Sequence, residues 1–200
     1  MKQTEYWNHN TAYYPWIKQQ LKQCDSVLDV GCGNGALIAF LNEGTGSYCG
    51  IDVDRKSIGH AVSSYSSRNA RFIEGDFIRT ADANRYDGII FAASIHHMDM
   101  RKAVRKAKSL LNPGGVLLIV GLAEPSTVYD CLIELLRIVP SWIISKQKKM
   151  KSSEELGIAV SYTTPKLNEV RRVIYEELPG AELHQALHFR YLLKWTNEAH

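Results

Sequence analysis

Glycines at alternate positions follow a short apolar run near the start of the chain. Residues 26–35 read Ser-Val-Leu-Asp-Val-Gly-Cys-Gly-Asn-Gly, and apolar residues at helical spacing follow. Side chains at Gly31, Gly33 and Gly35 would block a ligand from the backbone, and a tight turn often needs the positive φ that glycine tolerates. A strand, an open turn and a helix N-terminus in this order predict a site for a nucleoside cofactor.

A carboxylate ends the next strand-like run. Residues 47–54 read Ser-Tyr-Cys-Gly-Ile-Asp-Val-Asp, which places Asp52 about one helix length beyond the glycine turn. The two acceptor oxygens of an ionised carboxylate match the neighbouring hydroxyl groups of a ribose. We therefore predict that Asp52 binds a ribose, with a solvated strand end as the alternative. Asp54 is predicted to be the N-cap of the following helix.

The spacing of the glycines separates two classes of cofactor. Dinucleotide-binding turns follow G-x-G-x-x-G, whereas this chain has D-x-G-x-G-x-G from Asp29. The pattern resembles motif I of the class I S-adenosylmethionine-dependent methyltransferases, whose cofactor carries no phosphate. The resemblance implies that Asp29, Gly31, Cys32, Gly33 and Gly35 surround the amino acid and sugar parts of that cofactor. Cys32 is interpreted as a small residue that fits the turn, with a reactive thiol as the alternative.

The resemblance covers residues 26–124 well and 165–196 in outline. It implies that Val53 lies beside the cofactor, next to the ribose-binding acid. It also implies that Asp76 and Phe77, which follow a third strand-like run, hold the adenine. Their chemistry suits that role, because a carboxylate accepts hydrogen bonds from an amino group and an apolar ring packs against a purine.

The fourth strand-like run, 86–92, opens into small residues and two histidines. Ala92 and Ala93 fit the ligand crevice that open α/β sheets form at the carboxyl ends of their strands. His97, and after it His96, are the candidate general bases, because imidazole titrates near neutral pH. A structural hydrogen-bonding role is the alternative for both.

Strand-like and helix-like runs alternate through most of the chain. Asp99 is predicted to cap one helix, and Thr164 and Pro165 are predicted to begin the last one. Residues 181–188 and 190–196 are predicted to form a hairpin similar to the antiparallel last pair of that family. The predicted fold class is α/β, with a Rossmann-like doubly wound sheet of seven strands, mostly parallel with an antiparallel C-terminal strand.

Length and a hydrophobic content of 45% predict a single methyltransferase domain over residues 1–200. Within it, the aromatic segment 1–25 is predicted to form a lid, because aromatic faces attract a sulfonium cation; packing of a helix onto the sheet is the alternative. Residues 125–164 are predicted to form a helical insertion, which is interpreted as a core helix, a substrate wall or a lipid contact. The predicted lid and substrate residues are His9, Tyr13, Tyr14 and Trp142.

Composition and cysteine spacing narrow the possible classes of protein. The four cysteines form no C-x-x-C pair and no spacing typical of a metal site, so we expect no metal and a reduced, cytoplasmic protein. No apolar signal-peptide run is apparent in residues 1–22. Basic residues dominate 101–151 although the net charge is only +3, and we interpret them mainly as a solvated face. A nucleic-acid partner is therefore not expected.

The resemblance implies transfer of a methyl group from S-adenosylmethionine to a small-molecule acceptor by in-line displacement, with S-adenosylhomocysteine as the product. It extends to methyltransferases of quinone biosynthesis. The alternatives are a non-catalytic S-adenosylmethionine-binding scaffold, an RNA methyltransferase and an NAD-dependent oxidoreductase. The acceptor, the oligomeric state and the pathway are not predicted from the sequence.

Overall fold

Five parallel strands and an antiparallel pair form one sheet. The computed structural model describes residues 11–42, 46–124, 126, 164–186 and 189–198. The strands run in the order β3-β2-β1-β4-β5-β7-β6, and β7 is antiparallel to both of its neighbours. This confirms the predicted sheet. The strands are β1 (Ser26–Val30), β2 (Ser47–Asp52), β3 (Ala70–Glu74), β4 (Tyr86–Ala92), β5 (Leu111–Leu122), β6 (Glu182–Ala186) and β7 (Arg190–Thr196).

Helices cover both faces of the sheet, because each central strand buries apolar side chains in both directions. In β1, Leu28 and Val30 belong to the larger apolar core, whereas Val27 packs on the opposite face with residues of α1 and α2. Residues of α4 and α5 complete the larger core. The helices are α1 (Tyr14–Gln20), α2 (Ala36–Leu41), α3 (Arg55–Tyr65), α4 (Met100–Leu110) and α5 (Leu167–Glu177).

Two predicted helix caps are confirmed. Asp54 accepts hydrogen bonds from the backbone N–H groups of Lys56 and Ser57, at 3.2 Å each. Asp99 accepts one from the N–H of Lys102 at 3.1 Å. Each carboxylate satisfies donors that the first helical turn leaves open.

The predicted start of the last helix is wrong by two residues, about half a turn. Lys166 forms a parallel bridge with Glu124, and the Glu124 N–H donates to the Pro165 carbonyl at 2.9 Å. These contacts hold the segment extended, so α5 begins at Leu167 rather than at Pro165. Pairing with a distant strand end therefore outweighs the local capping signal.

The carboxyl ends of the parallel strands and the two crossover turns that follow β1 and β4 lie at one edge of the sheet. The sheet order reverses between β1 and β4, and such a switch point leaves a crevice for a ligand. Among the described residues, none of the helices has the length and apolar character needed to cross a membrane.

Candidate functional site

The three glycines of the turn after β1 all adopt positive φ, with values of 72° at Gly31, 52° at Gly33 and 81° at Gly35. Their surroundings differ. A Cβ built on Gly31 would overlap the side chain of Ser94, whereas a Cβ on Gly33 would have no atom within 4 Å. Gly31 is therefore required for packing, and Gly33 faces open space at the ligand edge of the sheet.

The carboxylate of Asp52 is fixed against this turn. Its Oδ2 accepts a hydrogen bond from the Gly33 N–H at 2.8 Å, and its Oδ1 accepts one from the Asp54 N–H at 2.9 Å. Each oxygen keeps one further lone pair for a ligand hydroxyl. Val53 follows with 69% of its surface exposed, so an apolar face lies beside the carboxylate.

Asp29 is buried beneath the turn. It is 1% exposed, and its Oδ1 has no hydrogen-bond partner among the described residues. Burial, and then the negative charge of Asp52, raises its pKa to about 7. The site thus holds two nearby carboxyl groups, one ordered by backbone donors and one whose charge is poorly compensated.

Helix α1 brings one aromatic side chain of the predicted lid to the glycine turn. Burial, and then the charge of Asp29, raises the pKa of the Tyr14 phenol, and the Tyr14 ring lies 5.6 Å from that of Phe40. Tyr13 precedes it in a short 3-10 turn. His9 and Trp142 lie outside the described residues, as does nearly all of the predicted insertion.

The turn after β4 closes the crevice from the other side. Ala92 ends the strand and Ala93 has a φ of 59°, which is unfavourable for a residue with a side chain. The buried Ser94 hydroxyl donates a short hydrogen bond to the Val30 carbonyl. Ser94 is not among the site residues predicted from the sequence, because its importance depends on the meeting of two strands that are distant in the chain.

His96 and His97 follow in a 3-10 turn with their ring centroids 4.0 Å apart. Burial, followed by the positive charges of His97 and Arg190, lowers the pKa of His96 to about 4. Burial also lowers the pKa of His97, against the opposing effect of the Asp52 charge. Both imidazoles are therefore neutral at pH 7, and both could accept a proton.

The turn after β3 presents Asp76 near Asp52. The N–H of the preceding Gly75 donates to the backbone carbonyl of Asp52 at 2.8 Å. Phe77 differs from expectation, because its ring is 5% exposed and packs edge-on to Phe91 at 5.7 Å. Burial of this ring in the core stabilises the fold more than partial exposure at the site would. Of these two apolar side chains, Val53 is the one that remains exposed to a ligand.

Cys32 is packed within the turn. It is 8% exposed, a Cβ on Gly50 would lie 2.7 Å from its sulfur, and burial raises the pKa of its thiol. These features agree with a space-filling role rather than with a reactive thiolate. Among the described residues, no cluster of His, Cys, Asp or Glu could hold a metal ion.

An open glycine turn after β1, a carboxylate after β2 and this strand order define the class I methyltransferase fold. The family model described as "Methyltransferase domain" matches residues 27–115. Among solved structures, a Pyrococcus horikoshii protein superposes with a TM-score of 0.67 at 20% identity, covering 94% of this chain and 89% of that one. The N-methyltransferase NodS of Bradyrhizobium japonicum, solved with S-adenosylhomocysteine, gives 0.63 at 16%, covering 94% and 86%.

Curated relatives extend the match. An uncharacterized methyltransferase of Mycobacterium tuberculosis is 29% identical over 94% of this chain and 96% of its own length. The ubiquinone biosynthesis O-methyltransferase of Bordetella avium is 28% identical over 72% and 65%, and the ribosomal protein L11 methyltransferase of Neisseria gonorrhoeae is 30% identical over 54% and 36%. A methyltransferase domain thus matches residues 27–115, and similarity to an uncharacterized methyltransferase extends over nearly the whole chain.

Two alanine substitutions should separate the structural glycine from the ligand-facing one. Gly31→Ala should lower the melting temperature markedly, because its Cβ overlaps Ser94. Gly33→Ala meets no such overlap and should cost about 1–2 kcal/mol of stability for its left-handed backbone, while strongly weakening the binding of S-adenosylhomocysteine. Thermal unfolding and calorimetric titration measure the two effects. Equal losses of stability in both variants would contradict this division.

Proposed function

We propose that the chain binds S-adenosylmethionine along the edge formed by β1, β2 and β3, and methylates a small-molecule acceptor beside β4. The observation that carries the proposal is the orientation of the Asp52 carboxylate. Its two oxygens accept hydrogen bonds from the backbone N–H groups of Gly33 and Asp54. A preorganised acceptor pair at this position suits the two hydroxyl groups of a ribose.

The residues of the turn fit the rest of the cofactor. A ligand can approach the backbone at Gly33, where a Cβ would project into open space. The buried Asp29 carboxylate lacks a partner for its Oδ1 among the described residues, and a cationic ligand would stabilise its ionised form. Val53 offers an apolar face, and Asp76 offers an acceptor for the adenine amino group. When bound, S-adenosylmethionine supplies a methyl group activated by its sulfonium.

The N-terminal aromatic residues would limit the access of water to this site. Tyr14 lies close enough to Asp29 to sense its charge, and Tyr13 lies close enough to Arg190 to affect its pKa. Arg190 begins β7 opposite the end of β5, which is the edge where the acceptor would bind. We infer that the turn before α1 and the Tyr14 ring shield this site, while Ile17 packs the rest of α1 onto the sheet. The roles predicted for the insertion at 125–164 and for Trp142 lie outside the described residues.

Proton removal falls to His97, with His96 as the second candidate. His97 is exposed and neutral at pH 7, and it lies near the Asp52 carboxylate, whose charge acts on it. A hydroxyl acceptor would need such a base, whereas positioning alone would serve an amine that is already deprotonated.

A small molecule is the acceptor class that the relatives favour. The match to the ubiquinone biosynthesis O-methyltransferase covers 65% of that protein, whereas the match to the ribosomal protein L11 methyltransferase covers 36%. The match to the protein-modifying relative therefore leaves about two thirds of that protein outside the similarity.

The proposal predicts methyl transfer that depends on Asp52. Wild-type protein incubated with methyl-labelled S-adenosylmethionine and a cell extract should place label in the small-molecule filtrate. Asp52→Ala should weaken cofactor binding by about tenfold or more, because it removes charge-assisted hydrogen bonds. Asp54→Ala, which removes an exposed carboxylate two residues away, should bind nearly as well as the wild type.

Three results would contradict the proposal in different ways. Label in the RNA or protein fraction would show that the methyl acceptor is a macromolecule rather than a small molecule. Cofactor binding without label in any fraction across extracts would favour a non-catalytic scaffold. Tighter calorimetric binding of NADH than of S-adenosylhomocysteine would overturn the assignment of the glycine turn.

Cofactor affinity should depend on pH through Asp29. Its carboxyl has a pKa of about 7 in the ligand-free protein, so at lower pH the proton must leave before a cation can bind. The affinity for S-adenosylmethionine, whose sulfonium is cationic, should therefore fall as pH decreases below 7, by up to about tenfold per unit. Calorimetry between pH 5.5 and 8 tests this. Asp29→Asn should flatten the profile, and the exposed neighbour control Asp25→Asn should leave it intact.

The base role of His97 predicts a pH-dependent rate. Because its pKa lies below 6.5, kcat/KM should rise with pH through that lower value and level off before neutrality. His97→Asn should lower kcat by about 100-fold and remove this rise. His60→Asn, on the surface of α3, should leave both unchanged. An unaltered profile in His97→Asn would assign His97 a structural role only.

A further inference from the structure

The segment that carries Asp76 is anchored to the core at Phe77 and Ile78, but the residues that follow lie over a cavity. Residues 75–85 connect β3 to β4 as turns and extended chain, without a helix. Between this segment and the sheet lies a cavity of about 240 Å³. Its floor consists of the apolar side chains Leu28, Cys49, Ile51 and Ile73. Contacts from the side therefore add to the core packing of Phe77 and Ile78 in holding the segment in place.

Lys106 supplies such contacts from the neighbouring helix α4. Its ammonium group donates hydrogen bonds to the carbonyl of Thr80 and, at 3.4 Å, to the carbonyl of Ile78. The same group lies 5.1 Å from the centroid of the Phe77 ring, within the range of a cation–π contact. One half-buried cation thus contacts three residues of the four that follow Asp76.

The carboxylate of Asp76 is oriented by the residues that Lys106 holds. Its Oδ1 accepts a hydrogen bond from the Ile78 N–H at 2.8 Å, and its backbone carbonyl accepts one from the Thr80 N–H at 2.8 Å. The ion pair of Asp76 with Arg79 is a weaker restraint, because the Arg79 side chain is 88% exposed. Displacement of Ile78 and Thr80 would therefore turn the Asp76 carboxylate.

We propose that Lys106 is a positioning residue that sets the selectivity of the site for adenine over other purines. This rests on the proposed function, in which the Asp76 carboxylate accepts a hydrogen bond from the adenine amino group. Hypoxanthine carries an oxo group at that position, and its oxygen would face the carboxylate as a second acceptor. The preference between the two bases therefore reports the placement of the Asp76 carboxylate.

The test compares S-adenosylhomocysteine with S-inosylhomocysteine, whose bases differ in the group at position 6 and in the proton that hypoxanthine carries on N1. Lys106→Met keeps the straight aliphatic chain but removes the ammonium group. It should weaken the binding of S-adenosylhomocysteine by about tenfold, in keeping with the weakening of one charge-assisted hydrogen bond. Binding of S-inosylhomocysteine should change by less than about twofold, so the ratio of the two affinities falls. Lys106→Arg, which keeps a cationic donor, should restore most of the ratio.

Lys108→Met is the matched control, because Lys108 lies on the same helix but donates to the Glu177 carbonyl of α5 instead. It should keep the wild-type ratio. A second measurement needs no ligand: hydrogen exchange at the amides of residues 78–80 should speed up in Lys106→Met and not in Lys108→Met. Melting temperatures of all variants show whether the domain remains folded.

The outcomes separate this inference from the proposed function. An unchanged ratio and unchanged exchange in Lys106→Met would overturn the positioning role. Equal weakening of both ligands would also overturn it, since a general loss of structure does not distinguish the bases. If the wild type binds both ligands equally, the adenine role of Asp76 fails while cofactor binding stands. If it binds neither, the proposed function itself fails.

Discussion

The hydrogen bond from Ser94 to the Val30 carbonyl joins β1 to the turn after β4, the two neighbouring strands between which the strand order of the sheet reverses. Ser94 follows β4 and Val30 ends β1, and the Ser94 side chain fills the space in which a Cβ of Gly31 would lie. The contact therefore sets the distance between the glycine turn and the turn that carries the histidines. A cofactor bound on one side and an acceptor bound on the other would be aligned by this one junction.

The same region carries an electrostatic strain that the fold must tolerate. Because the pKa of Asp29 is raised from 3.8 to about 7, its contribution to stability becomes less favourable as pH rises through that interval. Asp52 adds to the effect from the neighbouring strand. A protein selected for stability alone would not bury a carboxylate beside another, whereas a site for a cation gains from both. The unfavourable charge thus argues for ligand binding independently of the glycine pattern.

Local signals account for what the sequence predicted correctly. The glycine turn, the Asp54 and Asp99 caps and the alternating strands depend on residues close together in the chain. The errors and omissions depend on distant contacts. Pairing of Lys166 with Glu124 moved the start of α5, packing against Phe91 drew the Phe77 ring into the core, and neither Ser94 nor Lys106 belongs to a recognisable motif. The turns at the candidate site are thus more predictable from the sequence than the residues that support them.

This asymmetry follows from how an open α/β sheet binds a ligand. The strands deliver their carboxyl ends to a common edge, so short motifs after each strand are enough to supply the chemical groups. The angles of those groups are fixed by side chains from the layers behind them, Ser94 for the glycine turn and Lys106 for the turn with Asp76. A different acceptor or cofactor preference can therefore arise without any change in the motifs, through substitution of a supporting residue that touches no ligand.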